Sequence, residues 1–141
     1  MPAPIVLFVY NRPLHTQKAL EALAANDLAK ESVLYIFADG AKQDSGEQNL
    51  NEIELTRNII RQKQWCKEVH IVERDKNKGL ADSIVEGVTE VVNKYGKVIV
   101  LEDDIVTSPG FLKYMNDALN LYETEDRVFH ISGYMFPVNG K

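Results

Sequence analysis

At 141 residues the chain has room for one domain with a substantial buried core. Its 16 basic and 21 acidic side chains leave a net charge of -5, and no basic tract stands out, which argues against binding a nucleic-acid backbone. A single cysteine, Cys66, excludes an internal disulfide, and no paired Cys/His spacing suggests zinc; the apolar runs are far too short to span a bilayer. The first residues lack the basic stretch, long apolar run and cleavage site of a signal peptide, so a cytoplasmic protein is expected.

The run Pro4–Tyr10 is almost continuously apolar and reads as a strand covered on both faces. Pro13 suits the first turn of a helix whose inward stripe is Leu20, Leu23 and Ala24. Val33–Ala38 is the second strand. A second helix is predicted from Glu47 to Gln64, with Ile53, Ile59 and Ile60 apolar. Val69–Glu73 is the third strand. Leu80, Ile84, Val88, Val91, Val92 and Tyr95 then follow helical spacing, and Gly96 is placed to end that helix. Val98–Leu101 is the fourth strand. Ser108 as N-cap and Pro109 at the first position open a fourth helix containing Phe111, Leu112, Met115, Leu119 and Tyr122. Val128–Ser132 is a fifth strand candidate.

This alternation predicts an α/β protein: a mostly parallel sheet with helices on both faces and right-handed crossovers. Ligands in such sheets sit beyond the carboxyl ends of the strands, so the chemistry is sought just after Tyr10, Ala38, Glu73 and Leu101.

Glu102-Asp103-Asp104 follows the fourth strand. Three adjacent carboxylates at a partly desolvated strand end repel one another, and Mg²⁺ or Mn²⁺ would offset that repulsion through oxygen ligands while keeping positions open for phosphates. The competing reading is a solvated acidic turn. Extended geometry would send Glu102 and Asp104 to one side and Asp103 to the other. Asp39-Gly40 follows the second strand, either as a simple turn or as a carboxylate accepting from a base or ribose. Asn11-Arg12-Pro13 follows the first, with Arg12 either exposed or meeting a nucleotide by stacking or phosphate pairing. After Glu73, the stretch Arg74–Gly79 is a solvated loop or a ligand contact, in which Asn77 would bond a base or ribose. Neither Gly-x-Gly-x-x-Gly nor a Walker lysine motif occurs, which disfavours dinucleotide-dependent dehydrogenases and P-loop NTPases. Cys66, beside Trp65 at a helix end, reads as a packing residue. His130 and Tyr134 flank Ser132-Gly133 and could line a sugar pocket.

Taken together, Pro4 to Pro13, Asp39, Asn77 to Ile84, Glu102 to Asp104, Ser108 to Phe111 and Ile131 to Tyr134 resemble the GT-A glycosyltransferases, and most of all bacterial relatives of the N-acetylglucosaminyltransferase I family. The resemblance implies a Rossmann-like nucleotide-sugar-binding domain over residues 1–141. By that likeness Arg12 and Asp39 hold the nucleoside end of the donor, and Asn77 approaches its base or ribose. Asp104 is the direct metal ligand, Asp103 lies near ribose and sugar, and Glu102 lies close to the donor sugar. The implied reaction is transfer of a sugar from a nucleotide-diphosphate sugar, a UDP-sugar, to a glycan acceptor with Mn²⁺ or Mg²⁺, by inversion. Large family-2 transferases usually carry Ala-Arg-Asn where this chain has Ser83-Ile84-Val85, a departure that weighs against family 2. The family's catalytic base falls after residue 141, so no catalytic residue is expected within this chain. With Asn139-Gly140-Lys141 an unnatural end for the fold, a fragment is expected, inactive alone and peripheral to the inner membrane in the full-length protein. A truncated sheet would expose an edge able to pair two copies into a homodimer. The alternatives are a non-catalytic nucleotide-sugar-binding domain and a sugar nucleotidyltransferase; the latter usually has a Gly-rich basic loop after the first strand, which Asn11-Arg12-Pro13 is not.

Overall fold

A computed structural model describes residues 1–134 of the chain. In order it contains β1 (Ile5–Val9), α1 (Pro13–Ala24), a 3-10 turn (Ala29–Glu31), β2 (Val33–Ala38), α2 (Glu47–Ile60), β3 (Glu68–Glu73), α3 (Leu80–Tyr95), β4 (Ile99–Glu102) and α4 (Phe111–Leu121). The four strands pair in parallel in the order β3-β2-β1-β4. That order explains the burial. Every residue of β1 is buried because the strand has a neighbour on each side and helices on both faces, whereas β4 at one edge alternates buried Ile99 and Leu101 with exposed Val100 and Glu102.

Side-chain alternation sorts the core into two layers. Ile5, Leu7 and Val9 of β1 face the same way as Leu34 and Ile36 of β2. They pack with Leu20 and Leu23 of α1, Ile60 of α2, and Leu112 and Met115 of α4. Val6, Phe8, Tyr35 and Phe37 face the other way, under Val91, Ile84 and Val88 of α3. Burying each large side chain of this kind contributes roughly 1.5–3 kcal/mol before entropy is subtracted. Gly87 lets α3 approach the sheet: a Cβ there would lie 2.9 Å from the Phe8 ring and 3.0 Å from that of Phe37. Trp65 and Cys66 are core residues, and burial pushes the Cys66 thiol up to about 12, far from the range of a reactive thiolate.

Three predicted elements differ. α2 ends at Ile60 rather than Gln64, because Trp65 folds back and its indole N–H donates to the Ile60 carbonyl at 3.0 Å. α4 starts at Phe111 rather than Pro109. Ser108 to Gly110 form a turn instead, and the first helical amides are served from a distance: Asn26 Oδ1 accepts from Leu112 N at 2.9 Å. That long-range cap takes over the role expected of Ser108. Val128–Ser132 forms no strand; Ile131 packs against the core, and the Gly133 backbone lies against Phe111 and Met115. The strand propensity of that run has no ladder to join, so its apolar residue docks on α4 instead. Among the described residues no helix is long and apolar enough to cross a membrane. Asn139-Gly140-Lys141 lies outside the described residues.

Candidate functional site

The carboxyl ends of β1, β2 and β4 and the loop after β3 converge on a cavity of about 290 Å³ lined by Arg12, Asp39, Asn77, Glu102 and Asp103, among others. Four widely separated segments therefore meet where the parallel sheet predicts a ligand.

Asp39 directly follows β2 and is buried. Its Oδ1 accepts from Gly40 N at 2.9 Å and Lys78 N at 2.8 Å; its Oδ2 accepts from Gly79 N at 2.9 Å and Asn77 Nδ2 at 3.1 Å. One carboxylate thus gathers the backbone and side chain of the loop after β3. Two glycines make the arrangement feasible. A Cβ on Gly40 would sit 2.5 Å from the Lys76 carbonyl carbon, and Gly79 takes a φ of 85°, which other residues rarely adopt. Arg57 reinforces the junction, its Nη2 donating to the Asp39 carbonyl at 3.2 Å and the Arg74 carbonyl at 2.7 Å.

Arg12, at the N-cap of α1, reaches across the cavity to Asp103. Its Nε donates to Oδ2 at 3.2 Å and its Nη2 donates to Oδ1, a fork that joins the ends of β1 and β4. The pKa of the guanidinium is raised, first by the hydrogen bond to Asp103, with the charges of Asp103, Asp104 and Glu102 adding to it. Asp103 is buried; Glu102 and Asp104 are exposed.

The acidic run does not divide as extended geometry predicts. Strand pairing stops at Glu102, and a turn closed by Ile105 N donating to the Glu102 carbonyl at 3.1 Å redirects the chain. Glu102 and Asp103 therefore line the cavity together. Asp104 faces a second, larger groove of about 820 Å³, which it shares with His130, Ser132 and Tyr134. His130 and Tyr134, which the sequence offered as lining a sugar pocket, both line this groove.

Of the basic loop residues, Arg74 and Lys78 are turned toward α3, where both pair with Glu86; Arg74 also donates to Ser83 Oγ at 3.0 Å. Asn11 is tied to α2 by Nδ2 donating to Asn49 Oδ1 at 2.7 Å. Sequence reasoning missed Arg57, Lys42 and Asn26. Arg57 did leave a signal, since it interrupts the inward stripe Ile53–Ile60 of α2 with a charge. Lys42 lines the cavity and has no side-chain partner among the described residues. Nothing in the local pattern marks it or Asn26.

The donor chemistry suits a hard cation that keeps most of its coordination for other ligands. Glu102 and Asp104 offer carboxylates with no hydrogen-bond partner among the described residues, while Arg12 occupies Asp103. No cluster of three or more His, Cys, Asp or Glu able to hold a metal forms among the described residues. One or two protein carboxylates plus ligand phosphates is the usual way Mg²⁺ is held.

Fold and site together define a Rossmann-like α/β domain with a cleft across the carboxyl ends of a parallel sheet and an acidic run on one wall. The chain belongs to glycosyl transferase family 2, whose family model matches residues 5–134. The lack of Ala-Arg-Asn at Ser83–Val85, which weighed against that family, is therefore no bar. Ser83 is buried in the first turn of α3, and Arg74 from the end of β3 supplies an arginine to it. Among solved structures the chain is similar to the crystal structure of S. aureus TarS, with a TM-score of 0.54 and 18% identity over 87% of this chain, a likeness of fold. The chain spans 20% of the length of that structure. No curated protein matches the sequence.

Proposed function

We propose that this chain is the donor-binding portion of a glycosyltransferase that takes a sugar from a nucleotide-diphosphate sugar, a UDP-sugar, and transfers it to a glycan acceptor. The observation that carries the reading is the convergence of Arg12, Asp39, Asn77, Glu102 and Asp103 on one cavity at the carboxyl end of a parallel sheet. Membership of glycosyl transferase family 2 supports it. The resemblance of the motifs to bacterial relatives of the N-acetylglucosaminyltransferase I family gives the donor its expected base and the site its expected roles.

In this reading Arg12, Asn77 and the Asp39 loop hold the nucleoside of the donor, and Lys42 faces its anionic part. Asp104, with Glu102 near it in sequence, holds Mn²⁺ or Mg²⁺. When bound, the cation neutralises the diphosphate as a leaving group. The acceptor oxygen bonds to the anomeric carbon as the bond to the diphosphate oxygen breaks; the electron pair leaves with the diphosphate, and the hydroxyl proton passes to a base. An acidic protein with one cavity cation already committed to Asp103 needs added positive charge to hold an acidic donor.

Calorimetric titration of UDP with Mn²⁺, with EDTA, and on Asp104→Ala tests the reading. Metal-dependent binding that Asp104→Ala abolishes is the expected result. Equal binding in all three titrations would remove the metal and Asp104 from the mechanism, and absence of binding to folded protein would remove the donor site.

A further inference from the structure

The segment that carries Asp104, residues 103–110 between β4 and α4, is held by the turn that follows α1. Asp104, Ile105 and Val106 are exposed, so packing does not fix them. Their fixed points lie to either side: Ile105 N donates to the Glu102 carbonyl at 3.1 Å, and Thr107 Oγ1 accepts from Asn26 Nδ2 at 3.0 Å. Asn26 is only 5% exposed. It gives its other amide proton to the Ala22 carbonyl at 3.0 Å, and its Oδ1 accepts from Leu112 N at 2.9 Å. A flipped amide would set oxygen against the Ala22 carbonyl and N–H against N–H at Leu112, so the network leaves one orientation. Asp27 N adds a bond to the Pro109 carbonyl at 3.2 Å. Two consecutive residues thus grip the connection at three points, and the helix behind them is seated in the core by Leu20 and Leu23.

We propose that Asn26 is a positioning residue for Asp104, acting through Thr107 to hold the exposed acid in place for a divalent cation. The inference rests on the reading of Asp104 as the metal ligand and adds to it a residue from a separate element of the fold. The two jobs of the Asn26 amide are separable. Capping Leu112 N satisfies a helix amide and serves stability. The bond to Thr107 satisfies no backbone group, and the partly exposed hydroxyl has water as an alternative partner. What that bond does is pin the chain three residues beyond Asp104, on the wall of the groove that both residues line. A cation that takes few protein carboxylates depends on each being held before it arrives, because a wandering ligand must be ordered at the expense of binding.

The experiment compares the wild type with Thr107→Val, which removes the hydroxyl but leaves the cap on Leu112, with Thr107→Ser, which keeps the hydroxyl, and with Asn26→Ala. Calorimetric titrations of UDP across a Mn²⁺ series give the Mn²⁺ concentration at half effect, and urea denaturation gives the folding midpoint of each protein. Thr107→Val should raise the half-effect concentration about tenfold, and Thr107→Ser should stay within about threefold of the wild type. The urea midpoint should hardly move in either, whereas Asn26→Ala, which also uncaps α4, should lose both metal response and stability. In metal-free protein, the amides of residues 104–107 should exchange faster in Thr107→Val than in the wild type or Thr107→Ser. An unchanged Mn²⁺ requirement in Thr107→Val, or a Thr107→Ser as weak as Thr107→Val, overturns the positioning role while leaving Asp104 as the metal ligand. So does a urea midpoint for Thr107→Val that falls as far as that of Asn26→Ala, since the bond would then serve folding. If Mn²⁺ has no effect on UDP binding to the wild type, the metal reading of Asp104 fails and this inference falls with it.

Discussion

The two ends of the cavity are built on opposite principles. At the ends of β2 and β3, Asp39 is buried and receives four hydrogen bonds, Arg57 ties two carbonyls together, and Gly40 leaves no room for a side chain. At the end of β4, Glu102 and Asp104 face solvent without a hydrogen-bond partner among the described residues, and Asp103 is balanced by an arginine that is 44% exposed. The first region is complete without a ligand; the second holds uncompensated negative charge. A carboxylate motif in a sequence can thus be a fastener or a landing point, and what separates the two is how many donors the fold has already brought to it.

Four substitutions grade that contrast. Asp39→Ala would leave three backbone N–H groups and the Asn77 amide without their acceptor, and is expected to lower unfolding free energy by about 3 kcal/mol or more in urea denaturation. Arg57→Ala removes the two hydrogen bonds to the part-buried Asp39 and Arg74 carbonyls, for an expected loss of about 2 kcal/mol by the same measurement. Arg12→Ala leaves Asp103 buried without its fork; because the guanidinium is partly in water, the loss should be only about 1 kcal/mol. Asp104→Ala should change stability by less than ~0.5 kcal/mol, yet abolish metal-dependent UDP binding in calorimetry. A stability loss for Asp104→Ala that matches Asp39→Ala would erase the distinction between the two ends. Retention of full stability by Asp39→Ala would do the same from the other side.

Much of this was legible before any coordinates. Apolar runs and helical spacing marked all four strands and all four helices near their observed positions, because strands covered on both faces need continuous apolar sequence and amphipathic helices need a stripe. The strand-end rule pointed to Arg12, Asp39, Asn77 and the acidic run, and five of the six expected site residues share one cavity. The misses have a common cause. Ser108 looked like a cap, but Asn26 does that work from 86 positions away in the chain. Val128–Ser132 looked like a strand, but strand propensity without a partner gives no ladder. Alternation assigned Asp104 to the side of Glu102, but it holds only as far as the chain stays extended, and the turn after Glu102 ends it.

The sequence by itself determined the α/β class, the parallel order of events along the chain and the residue types that gather at the strand ends, since periodicity and composition act locally. Only the tertiary structure decided which donors reach which acceptors. That is what left Asp39 saturated, Arg12 paired with Asp103, and Asp104 in a different groove from Glu102 and Asp103. Hydrogen-bond valence is filled by whichever partners folding brings within about 3 Å, and no local pattern in the chain records which those are.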